Sequence, residues 1–286
     1  MSDSYHGTPI TPNPLLEELA VGIYCFCVSY WRAEQIEMVC KIARKVMIDC
    51  GAFSIWMANR RAMEKWVKGG RVGPEPVPVI VDATFRAAYY VFCRVWLAVA
   101  PPGSWFVIFD EIDAGSQVQD ALLDEVPEDL LPYAWPVWHM DEPVERAIRL
   151  LLRFGRCCIG STGEFMVVGS PDWRDRMDEL FNAVAATFYG PGLPPLHMLR
   201  GLQCQLPEYD WPFDRMDSTN MGRNHNRMNE QVGDLTAMTK QQLFEAALRR
   251  WENANCPRIW PPLRLAHQAP RRAIPAHQPQ LFEEAA

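Results

Sequence analysis

The 286-residue sequence has no apolar run long enough to span a bilayer. Its most apolar stretch, residues 87–100, is broken by Arg94 and closed by Pro101 and Pro102, short of the roughly 20 residues a transmembrane helix needs. The first thirteen residues are polar and proline-bearing instead of an apolar leader, so the expectation is a chain without an export signal, working in the cytoplasm without a membrane partner. Positive charge is in deficit. Lysine and arginine number 28 against 35 aspartates and glutamates, a net charge of -7, which argues against a protein that coats nucleic acid by nonspecific phosphate neutralisation. Cysteine pairing is not indicated either. The nine cysteines are odd in number and sit mostly in apolar surroundings, as at Cys25, Cys27, Cys93, Cys157 and Cys158, which predicts reduced core thiols and no disulfide framework. No internal repeat is visible.

What the chain does have is 49% hydrophobic and 22% charged residues, enough for one large domain with a sizeable core. Short apolar runs recur at residues 23–28, 46–48, 105–109, 136–138, 156–159, 195–199 and 213–216. Each is followed by polar or glycine-bearing residues and then by a helix-periodic segment, the pattern of βα units around a parallel sheet. Ile36, Val39, Ala43 and Val46 predict a crossover helix over 32–45. Asp141 before Pro143 and Ser170 before Pro171 mark helix starts, and Gly155 ends the first of these helices. Thr239 and Gln242 have capping-box spacing ahead of Leu243, Ala247, Leu248 and Trp251. The fold class is read as α/β. Residues 21–255 are expected to form a (βα)8 barrel of the TIM type with one irregular or shortened unit, after an N-terminal extension (1–20) and before a proline-rich irregular tail (256–286). A doubly wound open sheet is the alternative.

In either architecture ligands meet the carboxyl ends of the strands, and the residues after the runs are unusually polar. They are Asp49-Cys50-Gly51-Ala52-Phe53-Ser54, Asp110-Glu111-Ile112-Asp113, His139-Met140-Asp141-Glu142, Gly160-Ser161-Thr162-Gly163-Glu164, Arg200-Gly201, and the segment from Asp217 to His225. Several carboxylates on one rim point to acid, base and nucleophile chemistry, because repulsion and burial push their pKa values apart. Each residue alone has a plainer reading. Asp49, Asp110 and Asp113 would serve as helix N-caps, the glycines as tight turns, His139 as a satisfied structural histidine, and Arg223 and Arg227 as a solvated helix face. Repetition at successive strand ends favours chemistry. The negative total also conceals a cationic stretch, since nine basic residues between Arg223 and Arg272 stand against Glu230, Asp234, Glu245 and Glu252.

These strand-end motifs resemble, in order, those of the tRNA-guanine transglycosylase superfamily, most closely its shorter DNA-modifying 7-deazaguanine transglycosylase branch of phages and bacterial gene clusters. The resemblance runs from about Ile23 to about Asn226. Asp49-Cys50-Gly51-Ala52-Phe53-Ser54 resembles the family's Asp-Ser-Gly-Gly-Phe-Gln, and implies that Asp49 is a general acid/base and that Phe53 walls a purine pocket. Asp110 corresponds to the aspartate that recognises the base edge. Ile159-Gly160-Ser161-Thr162-Gly163-Glu164 resembles Gly-Gly-Leu-Ala-Val-Gly-Glu, about two residues shorter, and implies base contacts from Gly160, Ser161 and Glu164, with His139 ordering the pocket. His197-Met198-Leu199-Arg200-Gly201 resembles His-Leu-Met-Gly-Val-Gly and brings in Gly201. Asp217-Ser218-Thr219-Asn220-Met221-Gly222-Arg223-Asn224 resembles the segment opened by the nucleophilic aspartate.

The resemblance thus implies exchange of guanine for a free 7-deazaguanine base through an aspartyl–sugar intermediate, with Arg223, Asn224, His225 and Arg227 gripping phosphates around a flipped nucleotide. The family's tRNA-acting members carry three cysteines and a histidine for zinc after the nucleophile. Here only Cys256 follows Asp217, so no metal and no cofactor are expected and DNA is preferred to tRNA as partner. A homodimer is compatible with this reading. An N-glycoside hydrolase and a noncatalytic nucleobase-binding barrel are the alternatives from other classes.

Overall fold

In the computed structural model, which describes residues 2–188, 192–224, 238–252, 256–257 and 259–260, the apolar runs become short strands. In chain order they are β1 (Asp3–Gly7), β2 (Cys25–Ser29), β3 (Lys45–Asp49), β4 (Trp105–Val107), β5 (Ala134–Trp135), β6 (Val137–His139), β7 (Cys157–Gly160), β8 (Leu196–Met198) and β9 (Arg215–Ser218). All ladders between them are parallel, in the order β5-β4-β3-β2-β1-β9-β8-β7-β6. The two outermost strands, β5 and β6, are separated in the chain by Pro136 alone, so the sheet curls into a nearly closed barrel. Proline has no N–H to give a ladder. Its carbonyl still accepts from Cys158 N at 2.8 Å, and Trp135 O accepts from Ile108 N at 2.8 Å, so the flanking strands hold on either side.

Strand β1 lies in the stretch read from sequence as an N-terminal extension. It is buried along its whole length between β2 and β9. Its composition, Asp-Ser-Tyr-His-Gly, hides it from any search for apolar runs. Polar side chains are tolerated there because each finds a partner: Asp3 meets Arg44 at 3.1 Å and Lys45 at 2.8 Å, the Ser4 hydroxyl donates to Trp251 O at 3.2 Å, and His6 Nε2 lies 3.3 Å from Glu252.

Around the strands lie helices α1 (Pro14–Glu17), α2 (Ile36–Ile42), α3 (Ala52–Lys68), α4 (Ala83–Leu97), α5 (Ser116–Leu123), α6 (Val144–Phe154), α7 (Pro171–Thr187), α8 (Asn220–Asn224) and α9 (Lys240–Glu252). The cap signals at Ser170, Gly155 and Thr239 work as read, but the one at Asp141 does not: α6 starts after Pro143, which takes the cap position, and Asp141 accepts from the Thr162 hydroxyl instead. Ser170 Oγ accepts from Trp173 N at 3.2 Å, Gly155 takes the left-handed conformation (φ 68°) after α6, and Thr239 and Gln242 bond each other's backbone N–H reciprocally. The first crossover is shorter than the predicted 32–45, because Ala43 is already extended and Val46 belongs to β3. Among the described residues no helix is long and apolar enough to cross a membrane.

Alternation along the strands sorts the core into two bodies. Outward residues such as Phe26, Val28, Val46, Ile48 and Phe106 pack under the helices. Inward residues form a separate plug of Tyr5, Cys25, Cys27, Met47, Trp105, Val107, Trp135, Val137 and Cys158. All nine cysteines are free thiols, eight of them buried and Cys40 half-buried.

Candidate active site

The same period of two aims the polar residues. Met47 points inward, so Asp49, two residues on, points to the barrel axis at the carboxyl end of β3. Val137 does the same for His139 and Cys158 for Gly160, while β9 brings Asp217 into register with the inward Tyr5 of β1. The sequence-read residues Asp49, Asp110, His139, Gly160, Ser161 and Asp217 therefore share one pole.

Asp49 is half-buried and accepts from Gly51 N at 3.1 Å. Burial raises its pKa to about 7, reinforced by the neighbouring Asp217 and Asp110 carboxylates and opposed by the Gly51 N–H. Gly51 makes this geometry possible: its φ is +82°, and a Cβ there would sit 2.8 Å from the Trp31 Cβ. Asp110 is buried, takes the Cys50 thiol at 3.2 Å on one oxygen, and has His139 Nε2 3.1 Å from the other, with the N–H not aligned along that line. Burial works against charge on His139, yet the adjacent Asp110, with Glu142 and Asp141, raises its pKa above the ordinary value. Gly160 packs beside the His139 ring, where an added Cβ would lie 3.6 Å from Nδ1.

Asp217 is 6% exposed and held from two sides on one oxygen, by His197 Nε2 at 2.9 Å and by Arg200 N at 3.0 Å. His197 is fully buried, and burial lowers its pKa against the pull of Asp217. Its Nδ1 has no hydrogen-bond partner, which assigns the proton to Nε2 and makes the ring a donor to Asp217. Trp105 and Tyr5 wedge that ring edge-on at centroid distances of 4.9 and 5.9 Å.

Arg200 has φ 55°, donates to Ser161 O at 3.2 Å, and lays its guanidinium 3.9 Å from the Phe53 ring centroid. Gly201 follows in a turn so tight that a Cβ would come within 2.1 Å of Met198 Cγ. The Ser161 hydroxyl is turned to Trp173 Nε1 (3.1 Å), so its carbonyl is the group facing the site. Glu164 is exposed on the 3-10 turn after β7, outside the hydrogen-bonded cluster. Arg223 and Asn224 end α8 on described backbone, but their side chains, with His225 and Arg227, lie outside the described residues. Among those described, no group of three or more His, Cys, Asp or Glu side chains is disposed to hold a metal ion.

Roles for His197, Arg200 and Cys50 were not assigned from sequence. Cys50 and Arg200 adjoin Asp49 and Gly201, and His197 opens the segment that ends in Gly201, but only the assembled barrel shows which carboxylate each one holds. Compared with protein-family models, curated proteins and solved structures, the chain matches none of them.

Proposed function

We propose that this protein is a (βα)8-barrel guanine transglycosylase, with β5 and β6 as one strand broken at Pro136, which replaces guanine in DNA by a 7-deazaguanine base. The observation that carries the reading is the pairing of unlike carboxylates at one barrel pole. Asp49 has its pKa raised to about 7 by burial, with Asp217 and Asp110 adding to it, whereas Asp217 receives two N–H donors. A group poised near neutrality is suited to give and take a proton, and a carboxylate fixed by two donors is suited to attack.

In this mechanism an Asp217 oxygen bonds to C1′ as the bond to the guanine nitrogen breaks, and the departing base takes both the electron pair and the proton of Asp49. The incoming base returns a proton to Asp49, bonds to C1′ through the freed nitrogen and expels Asp217, so atoms and charge balance. Asp110 retains lone pairs beyond those used by Cys50 and His139, which lets it accept from the N1–H and 2-amino groups of guanine, a pair adenine does not offer. The target nucleotide must leave its stack to reach the pole.

The test is mass spectrometry of nucleosides from DNA and tRNA of cells expressing the protein beside a 7-deazaguanine pathway, for wild type, Asp217→Ala and Asp49→Ala. Modified deoxynucleosides in wild type only are expected. Modification of tRNA alone would move the activity to RNA, and abasic DNA with free guanine would make the protein a hydrolase. Unaltered nucleosides together with in vivo function unaffected by Asp217→Asn would leave a noncatalytic barrel.

A further inference from the structure

We propose that α3 is a docking track for the single-stranded DNA flanking the target nucleotide, a step that rests on the reading above. The helix leaves β3 directly after Asp49, and only Ala52 and Ile55 of its 17 residues are buried. Its uncovered length carries Arg60, Arg61, Lys65 and Lys68, with Arg71 just beyond, all exposed. Against these five cations stand Glu64 on the helix, Glu75 after it and Asp113 beside Trp56, so a net -7 protein presents a net cationic helix that starts at the pole of its carboxylates. The Arg60–Glu64 pair, 2.9 Å apart with both side chains about half exposed, is weak enough for a phosphate to compete with it.

Aromatic rings alternate with the cations. Phe53 and Trp56 stack at 5.8 Å and 29°, with Arg60 5.3 Å from the Trp56 ring on the outer side and Arg200 3.9 Å from Phe53 on the inner side. Arg200 N in turn bonds Asp217. An unbroken line of contacts therefore leads from the proposed nucleophile through Arg200, Phe53 and Trp56 to Arg60. Beyond Phe53 this line borders a groove of about 550 Å³ between Trp56, Arg60 and the Pro76–Pro78 loop. The groove is held in shape: Trp56 Nε1 donates to Asp113 at 2.8 Å, and Asn59 exchanges two hydrogen bonds with the Val79 backbone. The outer face of Trp56 carries only the half-exposed Arg60, and a phosphate that draws this guanidinium away frees the face for a base. A ring beside guanidinium and ammonium groups is the chemistry of a sequence-tolerant single-strand site, and a duplex would not expose base faces to it.

Within the cationic C-terminal region, Arg249 and Arg250 do not serve this pole. They lie at the end of α9, where Glu252 bonds Arg44 and Arg44 bonds Asp3, the first residue of β1 at the amino-terminal pole.

The experiment measures anisotropy of a labelled short single-stranded oligodeoxynucleotide with the full chain, across roughly 50 to 200 mM salt. It compares wild type, Trp56→Ala, Trp56→Phe, the triple variant Arg60→Ala/Arg61→Ala/Lys65→Ala, and Asp217→Asn, with melting curves to certify folding. Trp56→Ala is expected to weaken binding about tenfold while Trp56→Phe retains it. The triple variant should flatten the salt slope by about 2, and Asp217→Asn should bind like wild type. Wild-type affinity and slope in both the Trp56→Ala and triple variants overturn the track, and tighter binding of the matching RNA through the same residues overturns its assignment to DNA. Trp56-dependent binding without exchange on any nucleic acid sinks the transglycosylase reading and spares the track. Exchange with an oligonucleotide KM indifferent to Trp56→Ala does the reverse.

Discussion

The acid/base role proposed for Asp49 comes with a stability penalty. Its pKa in the folded chain is about 7 against about 4 for an unperturbed aspartate, so the folded state binds the proton more tightly than the unfolded one. Stability from this group falls as pH climbs from about 4 to about 7, and the full penalty is present above that window. Asp49→Asn should therefore be more stable than wild type near pH 8, by about 4 kcal/mol at most, with the gap shrinking as pH falls and gone near pH 4, while the proposed exchange drops about 10²- to 10⁴-fold. A constant gap across pH would show that the raised pKa is not felt by folding. His197 is a positioning residue for Asp217. In the proposed exchange, His197→Ala should lower kcat about 10- to 100-fold with KM little moved, and His197→Gln, which restores a donor, should recover part of the loss. Equal effects of both variants, or a loss carried by KM, would count against this role.

At the scale of elements, the rim between β6 and α6 is clamped by a buried cation. Arg146 is 1% exposed and reaches Asp120 at 2.9 Å, Glu142 at 2.7 Å and the Val137 carbonyl at 3.0 Å. Glu142 in turn accepts from His139 N at 3.0 Å, so the clamp fixes the strand end that carries His139. Removing the guanidinium strands a buried carboxylate. Arg146→Ala should destabilise by about 3–5 kcal/mol in urea titrations, and adding Glu142→Gln should restore a measurable part. If the double variant is no more stable than Arg146→Ala, the buried charge is not the cause. The element boundaries followed local chemistry wherever a side chain bonds its own neighbourhood, as at Ser170, Gly155 and Thr239. They drifted where the partner is remote, as at the amino end of β3, whose Val46 N is bonded by the Ser104 hydroxyl.

For the molecule as a whole, closure depends on β1. Its ladders to β2 and β9 are among the most extensive in the sheet, and Tyr5 OH accepts from Trp105 Nε1 at 2.9 Å across the interior. Deleting residues 2–9 should abolish the cooperative thermal transition, because β2 and β9 would be left as unpaired edges beside an open interior. A truncated chain that melts cooperatively near the wild-type temperature would contradict this. Charge is also distributed by the fold and not by chain position: the cationic α3 rises from the carboxylate pole, whereas Arg249 and Arg250 sit toward the opposite one.

The sequence by itself determined what short-range physics controls. Short continuous apolar runs located most strands, caps and turn residues located several helix ends, and polar residues after each run marked Asp49, Asp110, His139, Gly160, Ser161 and Asp217 as neighbours on one rim. Only the tertiary structure decided what depends on contacts between distant segments. It made a polar N-terminal stretch into a central strand, because Arg44, Lys45, Trp251 and Glu252 supply its missing partners. It also set His197 and Arg200 on Asp217 and withdrew enough water from Asp49 to move its proton affinity, since burial and coupling between charges are properties of the assembled barrel and of no single segment.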